Sequence, residues 1–153
     1  MTLKKLIETY EIEPTCVTKN TACEENRRKF RIDTEGVKDE TFLRIKIDGC
    51  FIDDDNTEKC DFAFYRCTTE DFYFVELKGS DIQKAYNQIV TTLTTHLRSD
   101  EQSKRWGFIV SSRVPKGGLD VNKFKNEFAK KHGKLLFVKN DSSVFDPKKG
   151  GLT

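Results

Sequence analysis

The segment Phe72-Tyr73-Phe74-Val75-Glu76-Leu77-Lys78 constrains this chain more than any other. It is apolar on both of the faces that a strand presents, and such a run suits a central strand covered on both sides. Glu76 and Lys78 interrupt it, and at period two they point to the same face. Burying a charge is costly unless it is paired or bound to a cation. The two residues therefore need either a structural ion pair or a chemical role.

The neighbouring segments support a hairpin. Cys60–Cys67 (CDFAFYRC) reads as the preceding strand, with a tight turn at Thr68–Asp71. Reversal near Thr69 brings Asp61 opposite the neighbourhood of Glu76 and Leu77, where opposed residues lie about 5 Å apart at Cβ. Two converging carboxylates repel unless a metal or a proton sits between them. Oxygen donors on a rigid scaffold, with waters completing the shell, suit Mg²⁺ or Mn²⁺.

The rest of the chain frames this hairpin. Leu3, Leu6, Ile7 and Tyr10 suggest a short first helix, whereas the charge-rich stretch 18–40 fits no pattern. A strand begins at Phe42 and continues towards Ile52. Asp53–Asp55 make a solvated turn without the ligand spacing of a calcium loop. Gly79-Ser80 breaks the central strand and caps a helix over 81–97, whose stripe is Ile82, Ala85, Tyr86, Ile89, Leu93 and Leu97. A strand at Trp106–Ser111, a helix capped by Asp120 and ended by Gly133, and a strand at Leu135–Val138 follow. Residues 141–153 read as a loose tail. The expected fold is a single α/β domain, 1–153, with a mixed sheet flanked by helices.

The arrangement Asp61–(14 residues)–Glu76-Leu77-Lys78 resembles the signature of the PD-(D/E)XK nuclease superfamily, over about residues 42–112. The resemblance implies a restriction-endonuclease-like core of three meandering strands, helix and strand. It further implies Mg²⁺- or Mn²⁺-dependent hydrolysis of phosphodiester bonds in nucleic acid, DNA being the expected substrate. Asp61, Glu76 and the Leu77 carbonyl would hold the metal, and Lys78 would orient or deprotonate the attacking water. Gln88, in line with Asp81 and Lys84 on one helix face, is similar to a helix glutamine found beside the metal in some members. Cys60 stands where the family often has proline, and no first-helix glutamate stands out among Glu8, Glu11, Glu24 and Glu25.

Charge distribution is compatible with that reading. Residues 1–80 carry 13 basic and 18 acidic side chains, and residues 81–153 carry 14 basic and 7 acidic. Lys84, Lys104, Arg105, Arg113 and Lys116, with Lys123 and Lys125, are the candidates for phosphate contacts. Asp48, near the end of the first strand, is expected to support a turn, with an approach to the site as the alternative, and His96 and His132 are expected to lie at the surface. The five cysteines, odd in number and without a CxxC pair, are expected to be reduced. No run approaches the roughly 18–20 apolar residues that span a bilayer, so no membrane is expected and the cytoplasm is the expected location. So short a chain is expected to work as a homodimer or within a larger assembly. Two other classes compete: a non-catalytic nucleic-acid-binding subunit, and an interaction module in which Glu76 and Lys78 form a structural pair.

Overall fold

The computed structural model describes residues 1–77, 80–112 and 119–153, with the backbone alone at 119 and 120. Lys78, Arg113 and Lys116 therefore lie outside the described residues.

Helix α1 (Leu3–Tyr10) starts at Thr2, whose hydroxyl accepts the Lys5 N–H at 3.2 Å, and ends at Glu11 in the left-handed region. Strand β1 (Val17–Lys19) leads into β2 (Ala22–Glu25) and β3 (Arg28–Ile32), then β4 (Phe42–Lys46), β5 (Phe62–Arg66) and β6 (Asp71–Glu76). Helix α2 (Ile82–Thr91) is capped by the Asp81 carboxylate, which accepts the Lys84 N–H at 3.1 Å, rather than by Ser80. It runs on into a π-helical turn at Thr92–His96. Strand β7 (Arg105–Ser111), helix α3 (Leu119–Lys131), β8 (Leu135–Asn140), β9 (Ser142–Asp146) and β10 (Gly151–Leu152) complete the chain. Helix α3 begins ahead of Asp120. A Cβ on Gly133 would run into the Phe128 ring and the Arg105 carbonyl, so the close return from α3 to β8 requires glycine.

The protein is α/β, with a mixed six-stranded sheet in the order β1-β4-β5-β6-β7-β8. Pairs β4–β5 and β5–β6 are antiparallel; β6–β7 and β7–β8 are parallel. Helices α1, α2 and α3 cover one face. There Leu43, Ile45, Ala63, Tyr65, Phe72 and Phe74 pack against α1, α2 and α3. A second sheet, β10-β9-β3-β2, covers the other face, where Phe30 and Phe145 meet Phe64, Tyr73, Trp106 and Phe108. Phe30 and Phe108 approach to 4.7 Å between ring centres, Phe108 and Phe145 to 5.0 Å.

This second sheet corrects two expectations. Residues 142–152 are not a loose tail, because β9 pairs with β3 and β10, and Phe145 is fully buried. The unplaced stretch 18–40 supplies β2 and β3, joined through Asn26 and Arg27, both at positive φ (50° and 67°) as a two-residue hairpin turn demands. The expected extension of the 42–52 strand stops at Lys46, and residues 47–51 turn, with Gly49 at φ 80°. The thiols differ as well: Cys16 and Cys50 form a disulfide, while Cys23, Cys60 and Cys67 are free. Among the described residues, no helix is long and apolar enough to cross a membrane.

Candidate functional site

Phe62 pairs with Val75, so continuing the hairpin by one step sets Asp61 directly opposite Glu76. Both are buried, each with 2% of its surface exposed. Glu76 Oε1 accepts the Asp61 N–H at 3.1 Å, and Asp61 Oδ2 accepts the Leu77 N–H at 2.8 Å. Each carboxylate thus takes a backbone donor from the opposing strand, a charge-assisted bond stronger than a neutral one. The Asp61 carbonyl accepts from the Ile47 and Asp48 N–H groups at 3.0 and 3.3 Å, which fastens the turn after β4 to the same point.

Helix α2 is tied to this end of the sheet by Thr92, a buried residue that sequence reasoning missed. Its hydroxyl accepts the Cys60 N–H at 2.9 Å and donates to the Gln88 carbonyl at 2.7 Å. The only sequence signal for it is a hydroxyl on the apolar stripe of the helix. Burial, reinforced by the Glu76 and Asp61 charges, pushes the Cys60 thiol well above its ordinary range, so it stays neutral beside the carboxylates.

A cleft of about 500 Å³ is walled by Asp48, Lys59, Lys84 and Gln88 with the 55–58 turn; the carboxylates themselves do not line it, and Asp48, bonded to the Asp61 carbonyl, connects it to them. Lys84 and Gln88 are therefore brought to one cleft, as their helical spacing requires. Lys59 is the second residue missed. Only 7% exposed, it donates to the Thr57 carbonyl at 3.0 Å and the Asp54 carbonyl at 2.5 Å, and sits 3.9 Å from Asp48 Oδ1. Asp48, expected to support a turn, also faces this cleft. The acidic run is a turn as expected. Asp54 accepts from Asn56 N–H and the Thr57 hydroxyl at 2.8 and 2.9 Å, and these bonds hold its carboxyl below the usual range.

Other candidates lie elsewhere. Strands β6 and β7 are parallel with Phe72 beside Arg105 and Glu76 beside Ile109. Arg105 thus stands four residues, roughly 13 Å, from the level of Glu76. Lys104 donates to the Thr69 carbonyl and Arg105 to the Ser99 carbonyl, each at 3.0 Å, and burial lowers the Arg105 pKa. These two belong to the far end of the sheet from the carboxylates. Lys123 is exposed and Lys125 half-buried on α3. His96 and His132 are half-buried rather than at the surface; His132 meets the Tyr86 ring edge-on, and burial lowers its pKa.

Among the described residues, no three His, Cys, Asp or Glu side chains form a group suited to a metal ion. A closed cage of protein ligands is not what this site offers. Its donors are two opposed carboxylates, hard oxygen ligands of the number that Mg²⁺ typically takes while keeping several waters. Compared with protein families, curated proteins and solved structures, the chain matches none of them.

Proposed function

We propose that this chain is a metal-dependent phosphodiesterase of the PD-(D/E)XK kind, acting on nucleic acid, with DNA the expected substrate. One observation carries the reading: Asp61 and Glu76 lie buried and directly opposed at the end of β6, and Asp48, whose N–H bonds the Asp61 carbonyl, lines an open cleft to which α2 contributes Gln88. In this reading Asp61, Glu76 and the Leu77 carbonyl hold Mg²⁺ or Mn²⁺. The ion, when bound, polarises the phosphate and lowers the pKa of a coordinated water. The protein's own groups do the positioning. The bonds to Leu77 N–H and Asp61 N–H fix the two carboxylates before any ion arrives. Gln88 faces the incoming phosphate or water from the cleft wall, and Lys78, by its sequence position, orients the water. Action in the cytoplasm and as a dimer or part of an assembly belongs to the same proposal.

The two carboxylate–backbone bonds also favour a second reading, in which Asp61 and Glu76 lock the strand ends of a non-catalytic nucleic-acid-binding or interaction subunit. The variant Asp61→Asn/Glu76→Gln separates them, since each amide keeps an oxygen acceptor and loses only the charge. Calorimetry with Mg²⁺ and Mn²⁺, circular dichroism and cleavage of DNA and RNA oligonucleotides are the measurements. A folded variant that no longer binds the ions or cleaves supports the phosphodiesterase. A wild type that binds neither ion with nucleic acid present sinks it and leaves the structural lock.

A further inference from the structure

The face of α2 that carries Lys84 and Gln88 into the cleft continues one turn further to Thr92, since the three stand at i, i+4 and i+8. Exposure falls in steps along it: Lys84 is exposed, Gln88 half-buried and Thr92 fully buried. The stripe runs from the open cleft down to the sheet end. Its last member is polar, although the buried neighbours Ile89, Leu93 and Leu97 are apolar. A buried hydroxyl needs partners, and Thr92 has one on each side.

Those partners tie the cleft to the carboxylates. The Gln88 carbonyl accepts the Thr92 N–H and, at 2.7 Å, the Thr92 hydroxyl, so the backbone that bears the Gln88 amide is held twice by one residue. The same hydroxyl accepts the Cys60 N–H at 2.9 Å, and the next residue is Asp61, whose own N–H bonds Glu76. Two hydrogen bonds and one residue thus separate the Gln88 carbonyl from Asp61. On the same turn, the Thr91 hydroxyl donates to Glu58 at 3.3 Å and ties the helix to the 55–58 wall of the cleft. Beyond Thr92 the helix widens into its π-helical turn, where the Leu97 N–H bonds the Thr92 carbonyl at 2.9 Å, and such turns recur at functional sites. The buried Cys60 N–H needs an acceptor in any case. Drawing it from the residue one turn below Gln88 also fixes the rotation and height of that amide relative to Asp61.

We infer that Thr92 is a positioning residue for hydrolysis at the Asp61–Glu76 site: its hydroxyl holds the Gln88 amide where it meets the attacking water or the phosphate. A displacement of about 1 Å in such an arrangement costs up to about 100-fold in rate. The inference rests on the phosphodiesterase reading, which gives Gln88 a substrate to act on.

The test is a double-mutant cycle in Mg²⁺-dependent cleavage of a DNA oligonucleotide, with kcat and KM measured separately and Mg²⁺ affinity measured by calorimetry. Gln88→Ala should lower kcat by about 100-fold, as the loss of one preorganised donor does. Thr92→Val keeps the shape and removes the hydroxyl. It should lower kcat by about 30-fold, as loss of an orienting group does, and leave KM and Mg²⁺ affinity within about threefold of wild type. Thr92→Val/Gln88→Ala should be no slower than Gln88→Ala, because a hydroxyl that acts through Gln88 has nothing left to position. Thr92→Ser should restore most of the rate. Where circular dichroism shows Thr92→Val unfolded, Thr92→Ala leaves room for a water at the Cys60 N–H and completes the same cycle. Effects that multiply in the double variant, to about 3,000-fold, would overturn the inference. So would a Thr92→Ser no faster than Thr92→Val, or a Thr92→Val that loses as much Mg²⁺ affinity as Asp61→Asn. A wild type that neither binds the ions nor cleaves strikes the phosphodiesterase reading and this inference with it. A wild type that cleaves while the two effects multiply strikes this inference alone.

Discussion

Strand β6 buries an acid at each end, and the two ends solve the same problem differently. Asp71, at the start, accepts from the Trp106 indole at 3.0 Å and from the Thr69 hydroxyl. Both donors are neutral side chains, and nothing more is needed to account for its burial. Glu76, at the finish, takes its bond from the backbone of Asp61, whose own carboxylate bonds the backbone beside Glu76. One end gives its acid neutral side-chain donors; the other sets carboxylate against carboxylate. An arrangement that concentrates like charge in a buried place is the kind that functional sites use and stable cores avoid.

The sharpest way to break this contrast is by cation binding. Asp61→Asn should lower Mg²⁺ affinity by more than the roughly 100-fold lost with an outer-shell partner, while Asp71→Asn should leave it unchanged in calorimetry. Equal effects at both ends would erase the distinction. The disulfide tests whether the Asp61 end depends on its surroundings, because Cys50 lies in the turn whose Ile47 and Asp48 amides bond the Asp61 carbonyl. Reduction should cost about 3 kcal/mol in urea unfolding, and the loss should be absent in Cys16→Ala/Cys50→Ala. At the opposite end, Trp106→Phe removes a donor to a buried acid and should cost about 2 kcal/mol, with ion affinity retained.

The smallest effect concerns pH. Arg66, paired across the sheet with Asp71, holds Glu40 in a two-pronged ion pair at 2.6 and 2.7 Å. The Arg66 guanidinium holds the Glu40 carboxyl below its ordinary value. A depressed acid adds stability above its ordinary pKa and loses it as pH falls through the folded value. Stability should therefore decline below about pH 4.5, and Glu40→Gln should flatten that decline by less than about 1 kcal/mol. Acid titration monitored by circular dichroism measures both.

Much of the six-stranded sheet was legible because its strands carry their own signals. The aromatic density of 62–66 and 72–76 marks buried strands, and hairpin arithmetic places Asp61 against Glu76 from sequence alone. The second sheet hides for the opposite reason. Its strands are short, and each directs few apolar groups inward: Cys23 from β2, Phe30 and Ile32 from β3, Phe145 from β9. Outward Lys29, Arg31 and Ser142 give such segments the composition of loops. The Cys16–Cys50 pairing depends on two backbones approaching to 5.7 Å between Cα atoms, a property of the tertiary fold and not of spacing. Lys104 and Arg105 mislead because closeness in a basic half of the sequence carries no information about which end of a parallel strand they occupy.

The Cys16–Cys50 bridge has a consequence for covalent topology. The ring it closes contains β1, β2, β3 and β4, so the hairpin tip at Arg27 is an exposed bend within a cyclic segment. A tryptic cut after Arg27 would open that ring without dividing the molecule. Residues 1–27 and 28–153 would travel together on a non-reducing gel and part only when thiol is added. The basic hairpin can then be severed at its tip while both of its strands stay tethered to the protein.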